Sequence, residues 1–300
     1  MTRRIGGTLA ALIMLAACSS GGAGRNDPAP THSDPAAAGW VYQLSGYPDG
    51  KLDAVVKAPG RYAVTDLARD GSSDYFSSAE IGRLRASGKR VLAYFTIGSI
   101  EDYRPEYSQV TNLKLNRWDD WPDEYFVRYW SEQWWSAVMR PRLDQALKAG
   151  FDGAYLDVPN AYEEINLKLV PSETRDTLGA KMAQLIVRAS AYAKAHRPGF
   201  QIVPQNSPEL QRFPGYTAAI DGLGVEELSY LATDEKCTED FCAENLDSVR
   251  ALHRAGKFVL AVDYATRPGN VASACARDAA EEFYGYVTTV DLDHVTAPCR

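Results

Sequence analysis

Six short apolar or aromatic runs end in residues that could do chemistry: Asp66, Thr96, Asp157, Gln205 with Asn206, Glu226 with Glu227, and Asp263 with Tyr264. Asp and Asn also close strands as turn formers and helix N-caps, so one such residue means little. Six strand ends with the same bias toward carboxylate and amide point to a site. Two neighbouring carboxyls are the minimum equipment for cleaving an acetal: one protonates the departing oxygen, and the other stabilises the cationic carbon or activates water. The alternatives are poorly supplied. The four histidines, His32, His196, His253 and His294, fall in an N-terminal tether, at or near helix ends and near the C-terminus. That scatter disfavours a Ser-His-Asp relay and a His-metal cluster.

Such residues need a scaffold that gathers strand ends at one rim. Beyond residue 40 the chain alternates β-branched or aromatic runs with helical stretches, and the strand candidates are 40–44, 62–66, 90–97, 153–158, 200–205, 223–228, 258–264 and 285–290. The clearest helices are 131–149, 172–196, 243–255 and 272–283. Gly88, Gly150 and Gly256, each just before a strand, fit left-handed helix C-caps. Eight such units over roughly 250 residues predict an α/β fold, a single (β/α)8 barrel, whose reactive groups sit where strands run into the following loops. An open doubly wound sheet is the alternative, but Gln43-Leu44-Ser45-Gly46 is not the Gly-rich phosphate turn that fold carries after its first strand. Strand alternation then selects among the acids. Gly153, Tyr155 and Asp157 share a face, so Asp157 can point in at the rim; if the bulky Leu223 and Val225 lie under the helices, Glu226 enters the mouth and Glu227 points away. The segment 99–129, with Trp118, Trp121, Tyr125 and Tyr129, interrupts the repeat as a candidate substrate-facing loop.

The 300 residues carry 32 Lys and Arg against 39 Asp and Glu, a net charge of -7, which argues against nucleic acid or another polyanionic partner. Seventeen Tyr and six Trp suit stacking on sugar rings, although the same rings can fill a core. At the N-terminus, Arg3 and Arg4 precede an apolar run over 9–17, too short at roughly ten residues to span a bilayer and laid out like a secretion signal. It ends Leu15-Ala16-Ala17-Cys18, like a lipobox, so Cys18 is expected to be acylated after cleavage and to hold an exported protein on a membrane face of the periplasm or cell surface. A plain signal peptide cut nearby is the alternative. The expected division is a signal peptide at 1–17, a flexible anchored tether at 18–39, and the barrel at 40–300. Four cysteines remain, an even number in an exported chain, and the favoured pairing is Cys237 with Cys242 and Cys275 with Cys299. A zinc site is disfavoured because no CxxC or His-x-His accompanies them.

An ordered set of motifs makes a family resemblance specific. Tyr94-Phe95-Thr96-Ile97-Gly98, Glu101-Asp102-Tyr103-Arg104, Trp121-Pro122, Val127-Arg128-Tyr129-Trp130, Phe151-Asp152-Gly153-Ala154-Tyr155-Leu156-Asp157, Pro204-Gln205-Asn206, Gly224-Val225-Glu226-Glu227-Leu228 and Val262-Asp263-Tyr264 occur in this order. In that order and spacing the chain resembles glycoside hydrolase family 114 over nearly all of 40–295. The resemblance implies a (β/α)8 barrel and the activity of the characterised members, endo-acting cleavage of α-1,4-linked galactosamine-containing exopolysaccharide. It places the two essential acids at Asp157 and Glu226, the pair alternation already favours. Asp157 is assigned as nucleophile or cation stabiliser and Glu226 as acid/base. Tyr42, Tyr94, Arg104, Trp121, Tyr129, Asn206, Tyr230, Asp263 and Tyr264 are expected to line the groove. One departure touches the substrate: many bacterial relatives have Gly-Glu-Ala-Glu-Asp-Tyr-Arg where this chain has Gly98-Ser99-Ile100-Glu101-Asp102-Tyr103-Arg104. The expected protein is a monomer needing no cofactor or metal. Competing readings are a barrel that binds polysaccharide without cleaving it, and a glycosidase of the same mechanism on another α-linked polymer.

Overall fold

Eight parallel strands alternate with helices in a computed structural model of the chain, which describes residues 39–238 and 240–299. They are β1 (Trp40–Tyr42), β2 (Tyr62–Asp66), β3 (Arg90–Thr96), β4 (Gly153–Asp157), β5 (Gln201–Pro204), β6 (Gly222–Glu226), β7 (Phe258–Tyr264) and β8 (Tyr284–Thr288). Parallel ladders run β1-β2-β3-β4-β5 and β6-β7-β8. Two single parallel bridges, Gln205 to Gly224 and Gly39 to Gly285, join these arcs into a closed barrel. All eight strands lie within two residues of their sequence positions at each end. The helices start and stop where local chemistry tells them to. Thr174, capping Arg175–His196, takes the Thr177 N–H at 3.1 Å, and Gly150 ends Arg140–Ala149 with φ 92°, a left-handed cap that glycine adopts without strain. The predicted helix over 131–149 is present but broken: a π segment, Trp135–Met139, precedes Pro141, whose missing N–H and ring interrupt the regular ladder.

The segment 99–129 is more ordered than a loop. Ser99–Glu101, Glu124–Val127 and Lys114–Arg117 form an antiparallel sheet, in that order, that stands on the end of β3. Two disulfides, Cys237–Cys242 and Cys275–Cys299, close a five-residue separation and tie the C-terminal segment to the last helix. Among the described residues no helix is long and apolar enough to cross a membrane. The signal sequence, Cys18 and the tether lie outside the described residues.

A cluster of aromatics fills the barrel. Tyr62 stacks on Phe258 at 4.6 Å with Tyr284 edge-on, while Trp40 packs against Tyr42, Tyr155 and Tyr286. Rings of this size fit only because β6 gives up side chains on its inner face. A Cβ on Gly222 would run into the Phe258 ring, and one on Gly224 into the Tyr155 hydroxyl. Gly224→Ala therefore overpacks the floor beneath the acids and should lower stability by about 1–3 kcal/mol, read as a lower urea midpoint; an unchanged midpoint would mean the floor has room to spare.

Candidate active site

The two acids end neighbouring parts of the rim, and each is left there by a turn in the chain. The residue after Asp157, Val158, has φ 60°, and the residue after Glu226, Glu227, has φ 61°; Asn206, after Gln205, has φ 63°. Left-handed backbone at non-glycine residues, one of them β-branched, costs on the order of 1–3 kcal/mol each and persists where surrounding structure enforces it. Here it ends three strands abruptly and leaves their last side chains over the mouth.

Both carboxyls are half-buried among neutral donors. Asp157 accepts from the Tyr94 hydroxyl at 2.6 Å and from the Val158 N–H at 2.7 Å. Glu226 accepts from the Tyr264 hydroxyl at Oε1, and from Gln205 and Asn206 Nδ2 at Oε2, the last at 3.0 Å. Asn206 Oδ1 in turn holds the Glu226 N–H at 3.0 Å, and Tyr42 donates to Gln205 at 2.9 Å, which orients that amide toward the acid. Burial pushes the Asp157 carboxyl up to about 6, and the bonds from Tyr94 and Val158 oppose it. Burial and then the Asp157 charge push Glu226 up to about 7 against all three of its donors. Burial also holds the Tyr42, Tyr94, Tyr155 and Tyr264 hydroxyls well above their ordinary range, so they stay protonated. Among the described residues neither acid has an ion-pair partner. A pair of carboxyls tuned near neutrality, one higher than the other, can hold one proton and one charge at once.

The sequence-predicted residues divide. Tyr94, Asn206 and Tyr264 touch the acids; Tyr42 is buried and acts through Gln205, which the sequence places at a strand end and in a family motif but not among the groove residues. Glu227 points away as alternation predicts, taking the Ala232 N–H at 2.6 Å. Four residues do not line the groove. Tyr129 is fully buried and spends its hydroxyl on the Leu178 carbonyl at 2.8 Å. Arg104 is locked in a buried network, bidentate to Asp66 at 3.1 and 2.9 Å and paired with Glu101 at 2.7 Å. Asp263 faces the helix layer, where Oδ1 accepts the Ser229 and Tyr230 N–H groups at 2.7 and 2.8 Å and so fixes the loop that follows Glu226. Tyr230 packs with Ala265, Ala274 and Val287 and lines a separate cavity with Leu228, Leu246 and Arg277. Trp121 is 51% exposed at the tip of the inserted sheet, open to a ligand but bonded to neither acid. Buried networks and satisfied hydroxyls leave no trace in residue type, so nothing in the sequence separates these from true lining residues. Among the described residues no group of three or more His, Cys, Asp or Glu is placed to hold a metal ion.

The family model of glycoside-hydrolase family GH114 matches residues 22–300. A protein of Deinococcus radiodurans is 33% identical over 259 residues, 85% of this chain and 81% of that protein. Among solved structures, the glycoside hydrolase domain of PelA from Pseudomonas aeruginosa is similar with a TM-score of 0.68 at 17% identity, covering 86% of this chain and 98% of that one. Ega3 of Aspergillus fumigatus, in complex with galactosamine, is similar with a TM-score of 0.66 at 19% identity, covering 88% of this chain and 96% of that one. At such identities the structural likeness carries the barrel.

Proposed function

Because the chain belongs to glycoside-hydrolase family GH114 and is therefore a glycosidase, we propose that it cuts α-1,4-linked galactosamine-containing polysaccharide within the chain, with Asp157 and Glu226 as its two carboxyls. The observation that carries this reading is the acid pair itself: two half-buried carboxyls, held at about 6 and about 7, with no basic residue among the described ones paired to either. In the reactive form Glu226 keeps its proton and Asp157 is charged. Glu226 gives its proton to the glycosidic oxygen as the bond to the anomeric carbon breaks, and Asp157 stabilises or captures the cationic carbon. Glu226, now charged, is stabilised by Tyr264, Asn206 and Gln205, and takes a proton from the water that completes hydrolysis. Among the described residues no guanidinium or ammonium pairs with either carboxyl, which favours a substrate that brings its own positive charge. The galactosamine bound in the Ega3 complex supports the same sugar class.

We further propose that residues 40–300 form the catalytic domain, carried on a tether and lipid-anchored through Cys18 to the cell envelope. The Leu15-Ala16-Ala17-Cys18 run and two disulfides suited to an oxidising compartment support this.

Reducing-end release from partly deacetylated galactosaminogalactan, followed between about pH 4 and 9, tests the mechanism. The expected profile is a bell with its maximum between about 6 and 7, where Asp157 is ionised while Glu226 still holds a proton. Tyr264→Phe removes a donor that stabilises charged Glu226, so the alkaline limb should move to higher pH. A flat profile would sink the two-carboxyl mechanism, and an alkaline limb that stays put in the variant would remove Glu226 from the acid role.

A further inference from the structure

The inserted sheet brings a third acid to the Asp157 side of the mouth. Glu124 lies directly opposite Glu101 in its antiparallel ladder, yet their neighbours treat the two carboxyls differently. Glu101 accepts from Arg104 at 2.9 and 2.7 Å and from Thr96 at 3.1 Å, so a buried guanidinium answers its charge. Glu124 is 9% exposed, and its one protein donor among the described residues is the Ser99 hydroxyl, at Oε1. No Lys or Arg among the described residues forms an ion pair with it. Thr96 pairs with Asp157 across the β3–β4 ladder, and its hydroxyl meets both Glu101 and the Ser99 carbonyl at 3.1 Å, while Ser99 donates to Glu124. The Glu124 carboxyl therefore stands at the end of β3, beside the strand that carries Asp157. Burial, then the Glu101 charge, push it up to about 8, with Asp157 adding to the effect and the Ser99 hydroxyl and Arg104 opposing it, which favours the protonated form near neutral pH. Arg104, the nearby cation, is spent on Asp66 and Glu101, and a carboxyl with one oxygen unclaimed and no ion-pair partner of its own among the described residues is costly to ionise until a cation arrives.

We propose that Glu124 is a specificity-determining residue that receives the ammonium group of an amino sugar bound beside Asp157. The arriving cation replaces the proton, which leaves for water, and no bond of the sugar changes in this step. An N-acetylated sugar carries a neutral acetamide there and gains nothing from the carboxyl. Glu124 thus favours deacetylated polymer, an inference that rests on the amino-sugar reading of the site.

The test compares kcat/KM on deacetylated and on N-acetylated α-1,4-linked galactosamine polymer for the wild type and Glu124→Gln, which keeps the side chain's shape and an oxygen for Ser99. The expected result is a fall of about tenfold in the preference for deacetylated polymer, expressed mainly in KM. Calorimetry with galactosamine oligomers at about pH 6, in buffers of different ionisation enthalpy, should show proton release on binding that is smaller in the variant than in the wild type. A merely structural residue would move neither the ratio nor the proton count. Should Glu124→Gln not fold, Glu124→Met, which also removes the carboxyl at similar length, is read in the same way. An unchanged preference and unchanged proton release in a folded variant would overturn the inference alone. A wild type that neither binds nor cuts either polymer would overturn the amino-sugar reading and this inference with it.

Discussion

Asp157→Asn lowers kcat on deacetylated galactosamine polymer by about ten-thousand-fold, equivalent to about 5 kcal/mol of transition-state stabilisation. The substitution is nearly isosteric, and the amide can still meet the Tyr94 hydroxyl and the Val158 N–H that hold the present carboxyl at 2.6 and 2.7 Å. What it removes is the negative charge facing the anomeric carbon, which matters most once that carbon turns cationic. Polymer binding should therefore weaken by no more than about tenfold while turnover collapses. Initial rates of reducing-end release, with calorimetry of oligomer binding on the same preparation, separate the two effects. A variant that keeps turnover within about tenfold of the wild type would remove Asp157 from the mechanism.

The second large effect is expected at Glu226. Glu226→Gln should lower turnover of polymer by about a thousand-fold, the usual scale for losing a general acid. A galactosaminyl fluoride, whose leaving group needs no proton, should keep its single-turnover rate within about tenfold. Loss of both rates together would mean that Glu226 does something other than protonate the leaving oxygen. Stability should move the other way. The carboxyl lies at about 7 in the fold against an ordinary 4.5. Between those values the folded chain binds the extra proton, so stability is full below about 4.5 and falls as pH rises through about 7. That span corresponds to about 3 kcal/mol. Gln carries no charge and escapes the loss, so the variant should melt higher than the wild type at about pH 8 and gain much less at about pH 5. A variant less stable than the wild type at both would show that Tyr264, Gln205 and Asn206 need the charged partner more than burial penalises it.

Much of this architecture is legible in the residue pattern because a barrel is a repeat, and repeated alternation of short β-branched runs with helical stretches survives errors at individual boundaries. The choice of Glu226 over Glu227 rested on a period of two, and Leu223 and Val225 do lie outside the barrel while Gly222 and Gly224 face its rings. Three features were out of reach for physical reasons. The left-handed turns at Val158, Asn206 and Glu227 run against the preference of those residue types, so only tertiary structure can impose them. Arg104 and Tyr129 have the composition of ligand-binding residues, and only their partners, Asp66 with Glu101 and the Leu178 carbonyl, show that their donors are spent. Glu124 lay in a segment expected to be a loop, and strand pairing with Glu101 is what gives it a buried place near Asp157.

One pair of half-buried carboxyls is expected to cut an amino-sugar polymer internally. Residues 19–300, incubated with partly deacetylated α-1,4-linked galactosaminogalactan beside Asp157→Asn and Glu226→Gln, test it in a single comparison of product sizes. Short oligomers appearing early from the wild type, and from neither variant, are the predicted result. Intact polymer in all three reactions, with each protein folded and the polymer still bound, would contradict the claim and leave a barrel that binds its ligand without cleaving it.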